Sequence, residues 1–239
     1  MIPKIIHQLW INPKPEDCNA GLQLRGIAPE IEKRCLKWRS LYPAYLYRLW
    51  SLEEVLAIAD DDQVIGNRVR AVIQALRFPA AQADVARLML LSTFGGFWVD
   101  LKLDPYCRFL TPLLDFDLVL TEHFPQFHRP KPNGFLASSF IGSDRSTQFM
   151  DRVLKRVLSN VEQRVQASIF NVTGPTNLLK VKEEMANLPG GIGRHVVLPH
   201  TEAWAKLFSL GAAPYNENGM HWSVRERHEP IYADSASLR

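Results

Sequence analysis

The chain has 239 residues, 46% of them apolar and 22% charged, with a formal net charge of +3. That length and balance suit one α/β domain able to bury a full core without staples. A weak positive charge with no Lys/Arg-rich run argues against nucleic acid as a partner. Cys18, Cys35 and Cys107 are widely spaced and form no CxxC or Cys/His cluster, which argues against zinc, redox chemistry and a disulfide framework. The opening MIPKIIHQLW turns polar too soon for a signal peptide, and no apolar run reaches the roughly 18 residues of a membrane span. The expectation is a cytosolic protein, at most peripheral at the cytosolic face of a membrane.

In chain order, Lys4 to Trp10 reads as a buried first strand, stopped by Asn12, Pro13 and Pro15. Glu30 to Leu41 carries Ile31, Cys35, Leu36 and Trp38 at helical spacing, and Tyr45 to Trp50 reads as the second strand. Ser51 with Glu54 makes a capping box that starts a helix to about Ala59. Val64 to Arg77 is a further helix. Pro79 suits a first helical position, Ala80 to Thr93 is a strong helix former, and Gly95-Gly96 closes it. Phe97 to Leu103 and Phe116 to Thr121 read as strands. Glu122 to Gly134, with three prolines and two histidines, reads as a mobile loop beside a site. Phe135 to Gly142 is a strand. Ser143 to Val165 is a helix with Phe149, Met150, Val153, Leu154, Val157, Leu158 and Val161 on one face. Thr173-Gly174-Pro175 opens a helix to about Asn187, Arg194 to Leu198 is a late strand, and the last forty residues look irregular and aromatic. Strands alternating with helices, with no repeat and no linker, give a single domain over 1–239 built on a mostly parallel sheet.

Side chains alternate along a strand. Trp98, Asp100, Lys102 and Asp104 are therefore expected on one side, and Phe97, Val99, Leu101 and Leu103 on the core side. The first set puts two carboxylates, an ammonium and an indole at the carboxyl end of a strand, where open α/β sheets bind ligands. A surface ladder of ion pairs is the plain alternative. Asp84 and Arg87 stand three apart on the preceding helix, either as a surface pair or as a clamp on ribose and sugar hydroxyls.

The stretch Ala81 to Asp100, AQADVARLMLLSTFGGFWVD, resembles the signature of the DXD sugar-binding glycosyltransferases. These include glycosyltransferase family 32, capsular polysaccharide transferases and, more distantly, glucosylating clostridial toxins. Further likenesses are His7, Gln8 and Trp10 in an N-terminal His-Gln-x-Trp, then Asn133, Thr173-Gly174-Pro175 and His221-Trp222. The resemblance implies a GT-A-like, Rossmann-type mixed sheet, mostly parallel and flanked by helices. It also implies transfer of a sugar from a UDP- or GDP-linked donor, with retention of configuration. The acceptor would be a glycan, lipid-linked glycan or protein hydroxyl, with capsular or other surface glycans leading. Carried over by position, Trp10 stacks on the base, with His7 and Gln8 beside it. Asp84 and Arg87 hold the donor sugar beside Trp98, while Asn133, Thr173 and Gly174 complete the donor site. Asp100 is the first acid of the pair, and His221 and Trp222 close over the diphosphate.

The second acid should stand two residues after Asp100, where this chain has Lys102. Two readings stay open. Asp100, Asp104 and His221 hold Mn²⁺ or Mg²⁺, or Lys102 itself supplies the charge against the diphosphate. The cation is preferred, because it takes two phosphate oxygens at once where a lysine is a point charge. The competing functional reading is a nucleotide-sugar-binding protein, degenerate or hydrolytic, with the acidic pair broken by Lys102. A hydrolase and a toxin-like effector complete the alternatives.

Overall fold

The computed structural model describes residues 1–11, 27–61, 66–123, 135–211 and 221–233. In chain order, the first half holds β1 (Ile5–Trp10), α1 (Pro29–Leu41), β2 (Leu46–Ser51), α2 (Leu52–Asp61), α3 (Gly66–Ala75), α4 (Pro79–Phe94) and β3 (Gly96–Val99). Then come β4 (Leu103–Pro105), β5 (Leu118–Glu122), β6 (Leu136–Ser143), α5 (Gln148–Glu162), α6 (Ile169–Val172) and α7 (Thr176–Ala186). β7 (His195–Leu198), α8 (His200–Glu202), β8 (Phe208–Leu210) and α9 (Trp222–Arg225) finish the chain.

The main sheet runs β2-β1-β3-β6-β5-β7. β1 is parallel to β2 and β3, and β7 is parallel to β5, while β6 runs antiparallel to both β3 and β5. Two antiparallel steps restore direction, so β5 and β7 point the same way as β3. The carboxyl ends of β1, β2, β3, β5 and β7 thus emerge along one edge. That edge carries Trp10, Ser51, Asp100 just past Val99, and Glu122.

Alternation divides β3 between two cores: Phe97 and Val99 face one, Trp98 the other. On the Trp98 side, Leu9, Trp50, Leu120 and Ile141 pack under α2 to α5 and α7. On the other side, Ile6, Val119 and Phe140 meet Trp38 of α1 and Tyr42 just past it, with Phe109 and Phe208. The expected stripe of α5 is buried throughout, from Phe149 to Val161. α4 touches α3, α5, β3 and β6, so it is enclosed nearly all round and takes Asp84 and Arg87 into the interior with it. The capping box at α2 forms as expected. Ser51 N–H donates to Glu54 Oε2 at 2.8 Å, and Glu54 N–H donates to Ser51 Oγ at 3.2 Å.

The strand expected over Phe97 to Leu103 stops at Val99, and this corrects the four-residue face proposed for it. Asp100 N–H still donates to Ser139 O at 2.8 Å, but Leu103 N–H then closes a turn onto Asp100 O at 2.9 Å. Side chains from α1 capture the turn's carbonyls: Arg34 Nε donates to Leu101 O and Trp38 Nε1 to Leu103 O, each at 2.9 Å. β4 leaves the main sheet and pairs antiparallel with β8 in a second, two-stranded one. The last forty residues are also more regular than expected, since α8, β8, α9 and a bridge from Tyr232 to Leu76 lie within them. The expected loop over Glu122 to Gly134 lies outside the described residues from 124 on, apart from Glu122 in β5 and His123. No helix among the described residues is long and apolar enough to cross a membrane.

His7 braces the α4–β3 turn from below. Trp50 Nε1, which can only donate, bonds His7 Nδ1 at 3.0 Å, so the ring proton sits on Nε2 and is given to Gly95 O at 2.8 Å. Trp50 and Phe94 stack against the ring. The turn itself needs glycine twice, with φ of 65° at Gly95 and 96° at Gly96. A Cβ on Gly96 would stand 2.8 Å from Ile5 O and 3.1 Å from His7 Nε2. Gly96→Ala should therefore lower unfolding free energy by roughly 2–4 kcal/mol; equal denaturant midpoints for the two proteins would refute this.

Burial, with a smaller push from Arg48, brings the His7 pKa down from 6.5 to about 4. Between those values the unfolded chain binds a proton that the folded chain refuses. The contribution of His7 is therefore whole above pH 6.5 and is lost as pH falls toward 4. The loss is roughly 3 kcal/mol across that window. Denaturant titrations at several pH values should show a shallower acid slope in His7→Gln than in the parent chain.

Candidate active site

Arg87 organises the edge. Its Nη1 donates to Asp84 Oδ1 at 2.8 Å and its Nη2 to Asp100 Oδ1 at 3.3 Å, while its guanidinium lies over the Trp98 ring, 5.0 Å from the centroid. Trp98 Nε1 donates to the same Asp100 oxygen at 2.7 Å. Thr173 Oγ1 donates to Asp84 Oδ2 at 3.0 Å, tying in the end of α6. α4, the end of β3 and the segment between α6 and α7 thus meet around one cation.

Burial grades the three charged groups. Arg87 and Asp84 side chains are 6% and 11% exposed, and that of Asp100 is 24%. Burial pushes the Asp84 carboxyl above the ordinary carboxylate range, with Arg87 and the Thr173 hydroxyl pulling it back and Asp100 adding a further push upward. Arg87 Nε has no partner among the described residues. Asp100 receives both of its bonds on Oδ1, which leaves Oδ2 without a partner among the described residues. A small cleft lined by Asp84, Arg87, Leu88, Ser138, Thr173 and Gly174 adjoins it. Asp84 and Arg87 are therefore buried supports that aim Asp100, with limited surface of their own, where the sequence suggested an open sugar clamp.

The other expected site residues divide. Trp10 ends β1 partly exposed, packed against the cluster that includes Leu101, and so stands beside the Asp100 turn. Lys102, one residue further into that turn, approaches His221; burial first, and then this ammonium, hold the His221 imidazole below its ordinary range. His221 Nδ1 accepts from Ser223 N–H at 3.3 Å and from the Ser223 hydroxyl at 2.7 Å, which leaves Nε2 to face outward chemistry. Trp222 begins α9 with its ring 5.3 Å from that of His221 and partly packed on the helical core.

Several expectations are corrected. His7 is 1% exposed with both ring nitrogens bonded, so it serves the fold and offers a donor nothing. Gln8 is fully buried; Tyr47 hydroxyl donates to its Oε1 at 2.5 Å, and its Nε2 has no partner among the described residues. Gly174 stays in the cleft lining, where its size also matters, since a Cβ there would meet Phe170 Cα at 2.9 Å. Asp104 follows β4 into the second sheet and pairs with Lys37 Nζ at 2.6 Å, away from Asp100. Among the described residues no three His, Cys, Asp or Glu side chains gather, so Asp100, Asp104 and His221 do not form the expected ligand set. Asn133 lies outside the described residues.

The sequence reading missed one polar pair. Glu122, at the end of β5, meets His200 at the start of α8. The only signal was that Glu122 closes a strand whose carboxyl end shares the edge with Asp100, and that depends on a topology a sequence does not display.

No family model matches the chain. In sequence it is 32% identical over 127 residues to the mannosyl phosphorylinositol ceramide synthase SUR1 of Saccharomyces cerevisiae, covering 52% of this chain and 28% of that protein. It is 32% identical over 160 residues to a second such synthase, CSH1, covering 65% and 35%. It is 28% identical over 158 residues to inositol phosphoceramide mannosyltransferase 3 of Schizosaccharomyces pombe, covering 65% and 37%. The match spans about a third of the length of each relative. Among solved structures, the chain is similar to the PaToxG glycosyltransferase, with a TM-score of 0.55 and 16% identity over 79% of this chain and 70% of that one. It is also similar to the UDP-bound glycosyltransferase domain of the YGT toxin, with a TM-score of 0.54 and 10% identity over 88% and 83%. At such identities the likeness is one of fold, and it is the fold that the resemblance in sequence implied: the six-stranded sheet and its flanking helices have the GT-A-like arrangement.

Proposed function

We propose that this chain transfers a hexosyl group from a UDP- or GDP-linked donor to an acceptor hydroxyl, with retention of configuration. The observation that carries the reading is Asp100, held by Arg87 and Trp98 with one carboxylate oxygen free at the edge where the parallel strands end. Trp10 flanks the place for the base, Asp100 that for ribose and sugar, and Lys102 with His221 that for the diphosphate. Likeness to relatives named as mannosyltransferases makes mannose the sugar we favour. Their names also make an inositol-phospholipid or other lipid-linked glycan a better acceptor candidate than a capsular polysaccharide.

In a retaining transfer of this kind the acceptor oxygen attacks the anomeric carbon on the face the diphosphate leaves. The C–O bond to phosphate breaks as the new glycosidic bond forms, and the departing phosphate oxygen takes the acceptor proton. The protein then has to position both substrates and stabilise the charge that develops on the phosphate. We assign that charge to Lys102. Mn²⁺ or Mg²⁺ fits these residues poorly: oxygen ligands must converge on it, and with Asp104 drawn to Lys37 the expected partner of Asp100 is engaged elsewhere, with no group of three such ligands among the described residues.

Asp100→Asn keeps an acceptor oxygen for Arg87 and Trp98, so the fold should hold while turnover falls about 100-fold, the scale of one lost electrostatic contact at a reacting centre. Turnover equal to the parent would remove Asp100 from the site. Donor binding without any product would favour the binding-protein reading; a thermal-shift screen of UDP- and GDP-sugars reads it directly, since saturation a hundredfold above Kd adds about 2.7 kcal/mol.

Activity should survive EDTA, and Lys102→Ala should cost about 100-fold in turnover. Loss of activity in EDTA with recovery in Mn²⁺ would return the charge to a cation.

A further inference from the structure

The ends of β5 and β7 carry a polar cluster that the donor leaves unused. Glu122 Oε2 accepts the backbone N–H of His200 at 3.0 Å and lies 3.4 Å from His200 Nδ1. The carbonyl of Glu122 accepts the indole N–H of Trp204 at 2.9 Å, fixing the strand end. The Glu122 and His200 side chains are 39% and 40% exposed. Glu122 Oε1 accepts nothing among the described residues. In the tautomer whose Nδ1–H is directed at Glu122, the His200 ring has Nε2 left as a second acceptor.

This pair continues the wall of the Asp100 site. His123 packs edge-on against Phe170 of α6 with ring centres 5.9 Å apart, and α6 runs directly into Thr173, whose hydroxyl holds Asp84. Only β6 separates β3 from β5, so the strands that end at Asp100 and Glu122 lie two spacings, about 10 Å, apart across the sheet. A gap of that size suits one sugar ring and the bond to the next group.

Two neighbouring outward acceptors select the ligand class. They need a molecule with two adjacent hydroxyl donors, which a sugar or cyclitol supplies and a phosphate does not. The carboxylate repels an anion in any case. Glu122, His123 and His200 do not gather as a metal-ligating group. Phe170 and Trp204, both partly exposed, border the pair as aromatic rings commonly border sugars.

We propose that Glu122 and His200 form the acceptor subsite, binding a neutral polyol ring through vicinal hydroxyls and presenting a further hydroxyl toward Asp100. The proposal rests on the glycosyl-transfer reading of the Asp100 edge, but its binding test does not require turnover. Methyl α-D-mannopyranoside and myo-inositol would be titrated separately into the whole chain, following assigned histidine and tryptophan side-chain NMR signals. At least one polyol should shift His200 and Trp204 saturably. Glu122→Gln keeps an oxygen for the His200 N–H but turns an amide donor outward, so the fold should persist while polyol affinity falls about tenfold. His200→Gln provides the second variant and should weaken binding likewise. No shift with either polyol, unchanged affinity in both variants, or displacement of the polyol by UDP or GDP alone would overturn the acceptor assignment. Failure of the donor reading looks different: polyol binding would remain, and no nucleotide sugar would shift the Trp98 indole.

Discussion

The edge that carries Asp100 is organised around the buried guanidinium of Arg87. Removing Arg87 from water costs several kcal/mol unless its charge and donors are met. Asp84, Asp100 and the Trp98 face together meet most of that demand. The arrangement ties α4 to the end of β3, and through Thr173 to the end of α6, so the position of the partly exposed Asp100 carboxylate follows from core packing. A site carboxylate held in this way cannot swing freely, which suits a reaction in which the protein contributes mainly position and charge.

The same constraint explains the turn beneath it. Gly95 and Gly96 allow α4 to reverse directly into β3, and only because of that short reversal can a residue on the helix reach one at the end of the strand. His7 and Trp50 support the reversal from the neighbouring strands. The residues of the N-terminal His-Gln-x-Trp motif therefore act at different depths. His7 and Gln8 serve the interior, and Trp10 reaches the edge.

The edge is also polarised. Lys102 and His221 lie past β3, whereas Glu122 and His200 close β5 and β7. Under the proposed reading, the cationic side takes the anionic diphosphate and the acceptor-rich side takes a neutral hydroxylated ring. The departure of β4 into the second sheet contributes to this separation. It draws Asp104 to Lys37 and so keeps a second carboxylate from neutralising Lys102.

The sequence by itself determined the elements whose signals are local. The α5 stripe, the Ser51–Glu54 capping box, the proline and paired glycines bounding α4, and the order Asp84, Arg87, Trp98, Asp100 were all legible, because periodicity and capping act within a few residues. How deeply Asp84 and Arg87 are buried was not legible, since burial depends on what packs over α4. Only the tertiary structure decided where β3 ends. Val99 and Leu103 read alike as strand residues, but Arg34 and Trp38, more than sixty positions earlier, claim the carbonyls of Leu101 and Leu103 and bend the chain away. Glu122 and His200 are 78 residues apart and meet only because two antiparallel steps through β6 return β5 and β7 to the direction of β3. Hydrogen bonds and ion pairs at such separations leave no periodic trace in a sequence, and they are what turned a set of expected residues into one edge.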